Sequence, residues 1–173
     1  LGGVINIVTQ DPAGQGMQIG ADFVVGSPRD TMLHLFQAMP LAAGGLRADL
    51  ELHSGEDWRA HTQAEGLGFS GDVSLGQVRV SAGYKDQTLE LPGPTSMPSP
   101  NASQYDRLRF VHARYGDEEA AGRLQADVYV NEQTTIYKDP DWGTEDTTSN
   151  VLYGAKAQVD YGTAGAGEGL IGA

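Results

Sequence analysis

The chain has no cysteine among its 173 residues, which excludes disulfides, thiolate chemistry and cysteine-ligated zinc together. Positive charge is scarce too: 11 Lys and Arg against 23 Asp and Glu leave a formal charge of −12. Nucleic-acid binding draws most of its affinity from Lys and Arg that neutralise phosphates, so a nucleic-acid partner is not expected. No apolar run approaches the roughly 20 residues of a membrane-spanning helix. That absence carries no weight against a membrane barrel, whose strands need only about ten residues with every second one apolar. No stretch sustains a three-to-four residue repeat, so helices are not expected either. The chain opens on Leu1 with no leader pattern, and it is expected to be a piece of a longer protein.

What the sequence does contain is a two-residue repeat, which places alternate side chains on opposite faces of a strand. Leu46, Ala48, Leu50 and Leu52 oppose Arg47, Asp49, Glu51 and His53. Val78, Val80, Ala82 and Tyr84 oppose Arg79, Ser81, Gly83 and Lys85. The same reading holds for Ile19 to Val25, Phe69 to Leu75, Leu124 to Asn131 and Val151 to Tyr161. In the last segment Tyr153 and Tyr161 share a face; at ~3.4 Å per residue and a tilt near 45° they lie roughly 19 Å apart along a membrane normal, close to the edges of a ~25 Å apolar band. Two further segments are less regular. Met32 to Leu41 holds Pro40 and Gln37, and Tyr105 to Tyr115 switches its apolar face between Phe110 and Val111, as a β-bulge would make it do.

Twenty-four glycines, and prolines clustered between Pro92 and Pro100, punctuate the strands as turns. The expected links are residues 26–30, 42–45, 55–66, 76–77, 86–104, 116–122, 135–150 and 162–169, which after the first alternate short and long. In an antiparallel meander alternate links lie at the same end of the sheet, so short turns gather at one end and long loops at the other. Outer-membrane barrels have that asymmetry. The fold class read from the pattern is therefore all-β: an antiparallel up-and-down meander of about eight strands, with another beginning at Leu170, forming part of a transmembrane β-barrel.

The residues Gly2, Gly3, Val4, Ile5, Asn6 and Ile7, continuing through Val8 and Thr9 to Gln10, closely resemble the segment that ends the plug domain of TonB-dependent outer-membrane receptors. The resemblance implies that residues 1–16 are the end of a plug with its linker, and that residues 17–173 are the N-terminal part of a barrel, in that family usually of more than about twenty strands. It further implies a bacterial outer-membrane transporter, not an enzyme, which takes up a scarce nutrient chelate such as a ferric siderophore, haem or cobalamin. Its partners would be the TonB energy-coupling complex, through a region upstream of this chain, and outer-membrane lipid. Two alternatives stand beside it: a passive porin-like barrel without a plug, and a soluble secreted β-sandwich module whose apolar faces a second sheet would cover.

No catalytic constellation is present. His34, His53, His61 and His112 have no metal-binding spacing, and no serine sits in a nucleophile elbow. Gly165 to Gly169 lacks the last glycine of a dinucleotide-binding fingerprint and reads as a turn. The acidic stretch Asp139 to Asp146 fails the calcium-loop spacing and reads as a solvated loop; Asn101-Ala102-Ser103 matches a glycosylation pattern that means little in a bacterial protein. No cofactor and no metal are expected. Ligand contact, if any, is assigned to the long loops carrying Trp58, His61, Tyr137 and Trp142, whose aromatic faces suit flat ligands.

Overall fold

The computed structural model describes residues 16–26, 29–56, 59–116, 124–162 and 168–172, with side chains described as far as Val159. The Gly2 to Ile7 segment and Trp58 lie outside the described residues. Nine strands follow one another: β1 (Gln18–Val25), β2 (Thr31–Leu41), β3 (Gly44–Gly55), β4 (Ala64–Leu75), β5 (Val78–Glu90), β6 (Ser103–Tyr115), β7 (Leu124–Asp139), β8 (Thr144–Gly162) and β9 (Glu168–Gly172). They form a single antiparallel sheet whose spatial order is the sequence order. The all-β up-and-down meander expected from the alternation is the observed fold, and β9 begins two residues before Leu170. The sheet is open: among the described residues no pairing joins β1 to β9.

The registers explain why the period-two segments read so cleanly. Leu50 pairs with Phe69, Phe69 with Tyr84, Leu46 with Val73 and Val73 with Val80, so the apolar residues of each strand meet those of the next on one face. The polar residues align on the other, as in Arg47 opposite Asp72 and Arg114 opposite Asp127. A slip of one residue anywhere would move a whole strand's apolar set to the wrong side.

Three expectations need correction. The link placed at 135–150 is mostly strand: β7 runs on to Asp139, β8 starts at Thr144, and the chain reverses in a tight turn at 140–143 with Gly143 at φ 63°. Thr134, Thr135 and Ile136 pair with Ser149, Thr148 and Thr147. These residues favour strands but, Ile136 apart, are polar on both faces, so hydropathy alternation cannot reveal them. Likewise the loop placed at 86–104 shrinks to 91–102, because β5 and β6 continue to Glu90 and Ser103. The expected bulge in β6 is absent: Ser103 to Tyr115 pair residue by residue with β5 and with β7. Its switch of apolar face has another cause. Val111, Ala113 and Tyr115 belong to the apolar face, whereas Phe110 lies on the polar face, where its ring covers Gly83.

That ring-over-glycine packing recurs. A Cβ on Gly20 would collide with the Phe36 ring, one on Gly83 with Phe110 and one on Gly154 with Tyr129. In each case the glycine faces its aromatic directly across two strands. The missing side chain lets the ring lie flat on the backbone, filling a gap that glycine leaves in a sheet.

Candidate functional site

The sheet has two unlike surfaces and a loop cluster at one end. The apolar surface has no second layer: among the described residues the only buried apolar side chains are Ala38 and Ala102. Phe69 is 54% exposed, Val128 53% and Tyr153 77%. Monomeric soluble proteins rarely leave an apolar area of more than a few hundred Å² uncovered.

The apolar run does not stay in one hydrogen-bonded row. On β4 it reaches Leu67; on β5 it stops at Tyr84, the partner of Phe69; on β6 and β7 it stops at Val111 and Val130, another row down; on β8 it steps back one row to Val151, opposite Glu132. Its other limit moves the same way, from Leu75 and Val78 to Leu124. Beyond the run the same face turns polar, with Asp86, Arg107, Arg109, Glu132 and Thr134. β5 to β8 therefore carry a stretch of paired strand that projects past the apolar zone.

The polar surface is laced with ion pairs. His34 Nε2 lies 2.9 Å from Asp49, which also accepts from Arg47 Nε and Nη2 at 2.8 and 2.7 Å. Lys85 donates to Glu51 at 3.0 Å. The buried Asp72 accepts from Arg79 Nε at 2.8 and 2.9 Å and from the Ser81 hydroxyl at 2.6 Å. Asp127 holds His112 at 3.0 Å and Arg114 at 2.8 Å. Such a face can keep these charges because each has an opposite partner on its own or a neighbouring strand, although exposed pairs of this kind contribute at most about 1 kcal/mol each. The alternation of Arg and His with Asp and Glu makes this a charge-lined surface; no group of three metal-ligating residues is found among the described residues.

At the end of the sheet away from the tight turns at 42–43 and 76–77, three links are tied together. Arg59 Nη2 donates to the Gly93 carbonyl at 2.8 Å, joining the link 56–63 to 91–102. Asn101 donates its backbone N–H and side-chain amide to Asp141 at 3.1 and 2.8 Å, and the Trp142 indole N–H donates to the Ser99 hydroxyl at 3.1 Å, joining 91–102 to the β7–β8 turn. Tyr137 donates to Asp139 at 3.1 Å, and Asp139 in turn accepts from the Asp141 N–H at 3.1 Å. Of the residues assigned to ligand contact, Tyr137 lies on strand β7 rather than on a loop, and Trp142 sits at the tip of the turn, 59% exposed. His61, in the left-handed region at φ 59°, has no hydrogen bond to either among the described residues. The acidic stretch is thus engaged in holding a turn. Ser99 and Asn101 were missed as its partners, since 40 residues separate Asn101 from Asp141 and nothing local signals the tie.

The two donations from Asn101 hold the Asp141 carboxyl below the usual carboxylate range. A lowered folded-state pKa means that the tie contributes stability above the ordinary carboxylate pKa and loses it as pH falls through the lowered value. Followed by NMR in the full-length protein, Asp141 is expected to titrate below the ordinary range and to return to it in Asn101→Ala. An unchanged titration in that variant would mean that the tie does not form in solution.

No family model, curated protein or solved structure matches this chain. The functional reading therefore rests on the chain's own two-faced surface and on its opening residues.

Proposed function

We propose that the chain is a sector of the barrel of a TonB-dependent outer-membrane receptor, joined at residues 1–16 to the end of its plug, and that the whole protein imports a scarce nutrient chelate across the bacterial outer membrane. The observation that carries this reading is the uncovered apolar surface running from β1 to β8. Lipid covers such a surface without a second layer of protein, while the backbone groups are satisfied within the sheet. The edge of the apolar run also steps along the strands between β4 and β7, from Leu67 to Val130, before returning to Val151 on β8, and an uneven step of this kind is compatible with tilted strands crossing a hydrocarbon slab. The polar face then lines the lumen or meets the plug, and the tied links with Trp142 and Tyr137 lie at the extracellular side, where a nutrient chelate would first be met.

A passive porin-like barrel shares the sheet and its two faces; the resemblance of Gly2 to Ile7 to a plug terminus favours the receptor. A soluble β-sandwich fits poorly, since one sheet includes every strand described. The test is to express the full-length gene product and fractionate the cells. It is expected in the outer membrane as a species whose electrophoretic mobility changes on heating, with a plug encoded upstream of Leu1. A protein soluble without detergent would overturn the reading, and a membrane barrel lacking the upstream plug would replace it with the porin.

A further inference from the structure

The apolar surface is not uniform. Gly71 pairs with Ala82 at its centre, and these two small residues floor a groove of about 600 Å³ between the walls of Phe69 and Val130, with Tyr84 and Arg109 at its polar rim. On a face of leucines, valines and aromatics, this groove offers depth to an apolar chain, as does one of about 540 Å³ beside Ala21, Leu35 and Leu50 that no arginine lines. Just beyond the rim stands Arg107, two residues further along β6 on the same face and so about 7 Å away. In a chain carrying a formal charge of −12, an arginine would be expected to have a carboxylate partner. Among the described residues Arg107 has none: its Nε and Nη2 donate to the Tyr105 hydroxyl at 3.0 and 2.8 Å, and its cross-strand partner Asp86 accepts the Tyr84 hydroxyl at 2.7 Å instead. Arg109 is held only loosely, by Glu132 at 3.4 Å.

We propose that this groove and its rim bind one phosphorylated glycolipid of the outer leaflet, an acyl chain lying over Gly71 and Ala82 and a phosphate meeting Arg107 and Arg109. The inference rests on the membrane-facing reading of the apolar surface. Charge complementarity selects the occupant: a guanidinium without a carboxylate partner suits a planar or tetrahedral oxyanion, to which arginine can present two parallel N–H donors. Position agrees with it, because the arginines lie where the apolar run ends, at the depth of lipid headgroups. The tyrosines complete the site. Tyr105 and Tyr84 are amphipathic rings at the polar boundary of the same face, the place that such rings favour, and Arg107 and Arg109 each lie over one of them, at 5.3 and 5.9 Å from the ring centroid. The phenol hydroxyl that Arg107 now holds is a weaker acceptor than a phosphate oxygen, so lipid can take its place.

The experiment is native mass spectrometry of the full-length protein, extracted from outer membranes and exchanged into a non-ionic detergent. The probes are a diphosphorylated acylated glucosamine disaccharide and the same lipid with its phosphates removed. Wild type is expected to retain one phosphorylated lipid and to bind the phosphate-free form about tenfold less; Arg107→Gln is expected to lose the preference for phosphate. Ala82→Leu, which fills the groove and leaves both arginines in place, is expected to reduce binding of either lipid. Heat-modifiable mobility of each variant shows that the barrel has formed. Equal binding of the two lipids to wild type, or an unchanged preference in Arg107→Gln, overturns the lipid site while the membrane reading stands. A protein found in the soluble fraction overturns both.

Discussion

Phe69→Lys in the full-length protein is expected to destabilise the fold by about 1–3 kcal/mol, since Phe69 stands between the middle of the apolar run and its limit at Leu67, while Ser70→Lys, one residue away, is expected to cost under about 1 kcal/mol. The contrast follows from the register. Phe69 stands on the apolar surface between Leu50 and Tyr84; Ser70 stands on the opposite one beside Asp49. A lysine at Ser70 gains a nearby carboxylate and water, whereas at Phe69 it must lie in hydrocarbon or reach for the interface. Urea titration of the protein refolded into phosphatidylcholine vesicles measures both. If the two substitutions cost the same, the surface carrying Phe69 does not face lipid, and the case for a membrane barrel loses its main support.

Gly83→Val is expected to cost about 1–3 kcal/mol, as overpacking does when a rigid neighbour cannot move aside. The new side chain would occupy the place of the Phe110 ring, which lies against the Gly83 backbone. Valine is otherwise a better strand residue than glycine, so an isolated strand effect would have the opposite sign. Combining the change with Phe110→Ala is expected to recover part of the loss, because the ring that clashes is gone. The same vesicle titration reads the single and double variants. A Gly83→Val protein as stable as wild type would show that ring and glycine are not in contact.

These two results bear on how much of the fold was legible beforehand. Leu46 to His53 and Val78 to Lys85 announced themselves, because within these residues one face is apolar and the other polar, and the sheet preserves that division. Phe110 could not be read in the same way. A lone aromatic on the polar face of β6 looks like an interruption until its partner is known, and the partner is a glycine on another strand. Phe36 over Gly20 and Tyr129 over Gly154 were hidden for the same reason. The outer part of the β7–β8 hairpin went unseen on different grounds. Above the apolar zone both faces are wet, so Thr134 to Asp139 and Thr144 to Asn150 carry no alternation, and their β-branched content was the one cue to a strand. The candidate site was legible only in part: Trp142 and Tyr137 do stand at the end with the tied links, but their partners Ser99 and Asp139 follow from pairing across strands and from the turn geometry.

Because spatial order equals sequence order, each described strand after β1 finds a partner in the segment made just before it. Assembly can then run in one direction like a zip, each new strand docking on the edge its predecessor left open, with no distant segment to wait for and little loop entropy lost at the two-residue turns. Besides the outer edge of β1, which no described strand covers, the growing sheet presents at each stage the unsatisfied edge of its newest strand to its surroundings. A cell that makes such a protein must shelter that edge until the last strand arrives, so the burden of correct folding falls less on the sequence than on whatever holds the unfinished sheet.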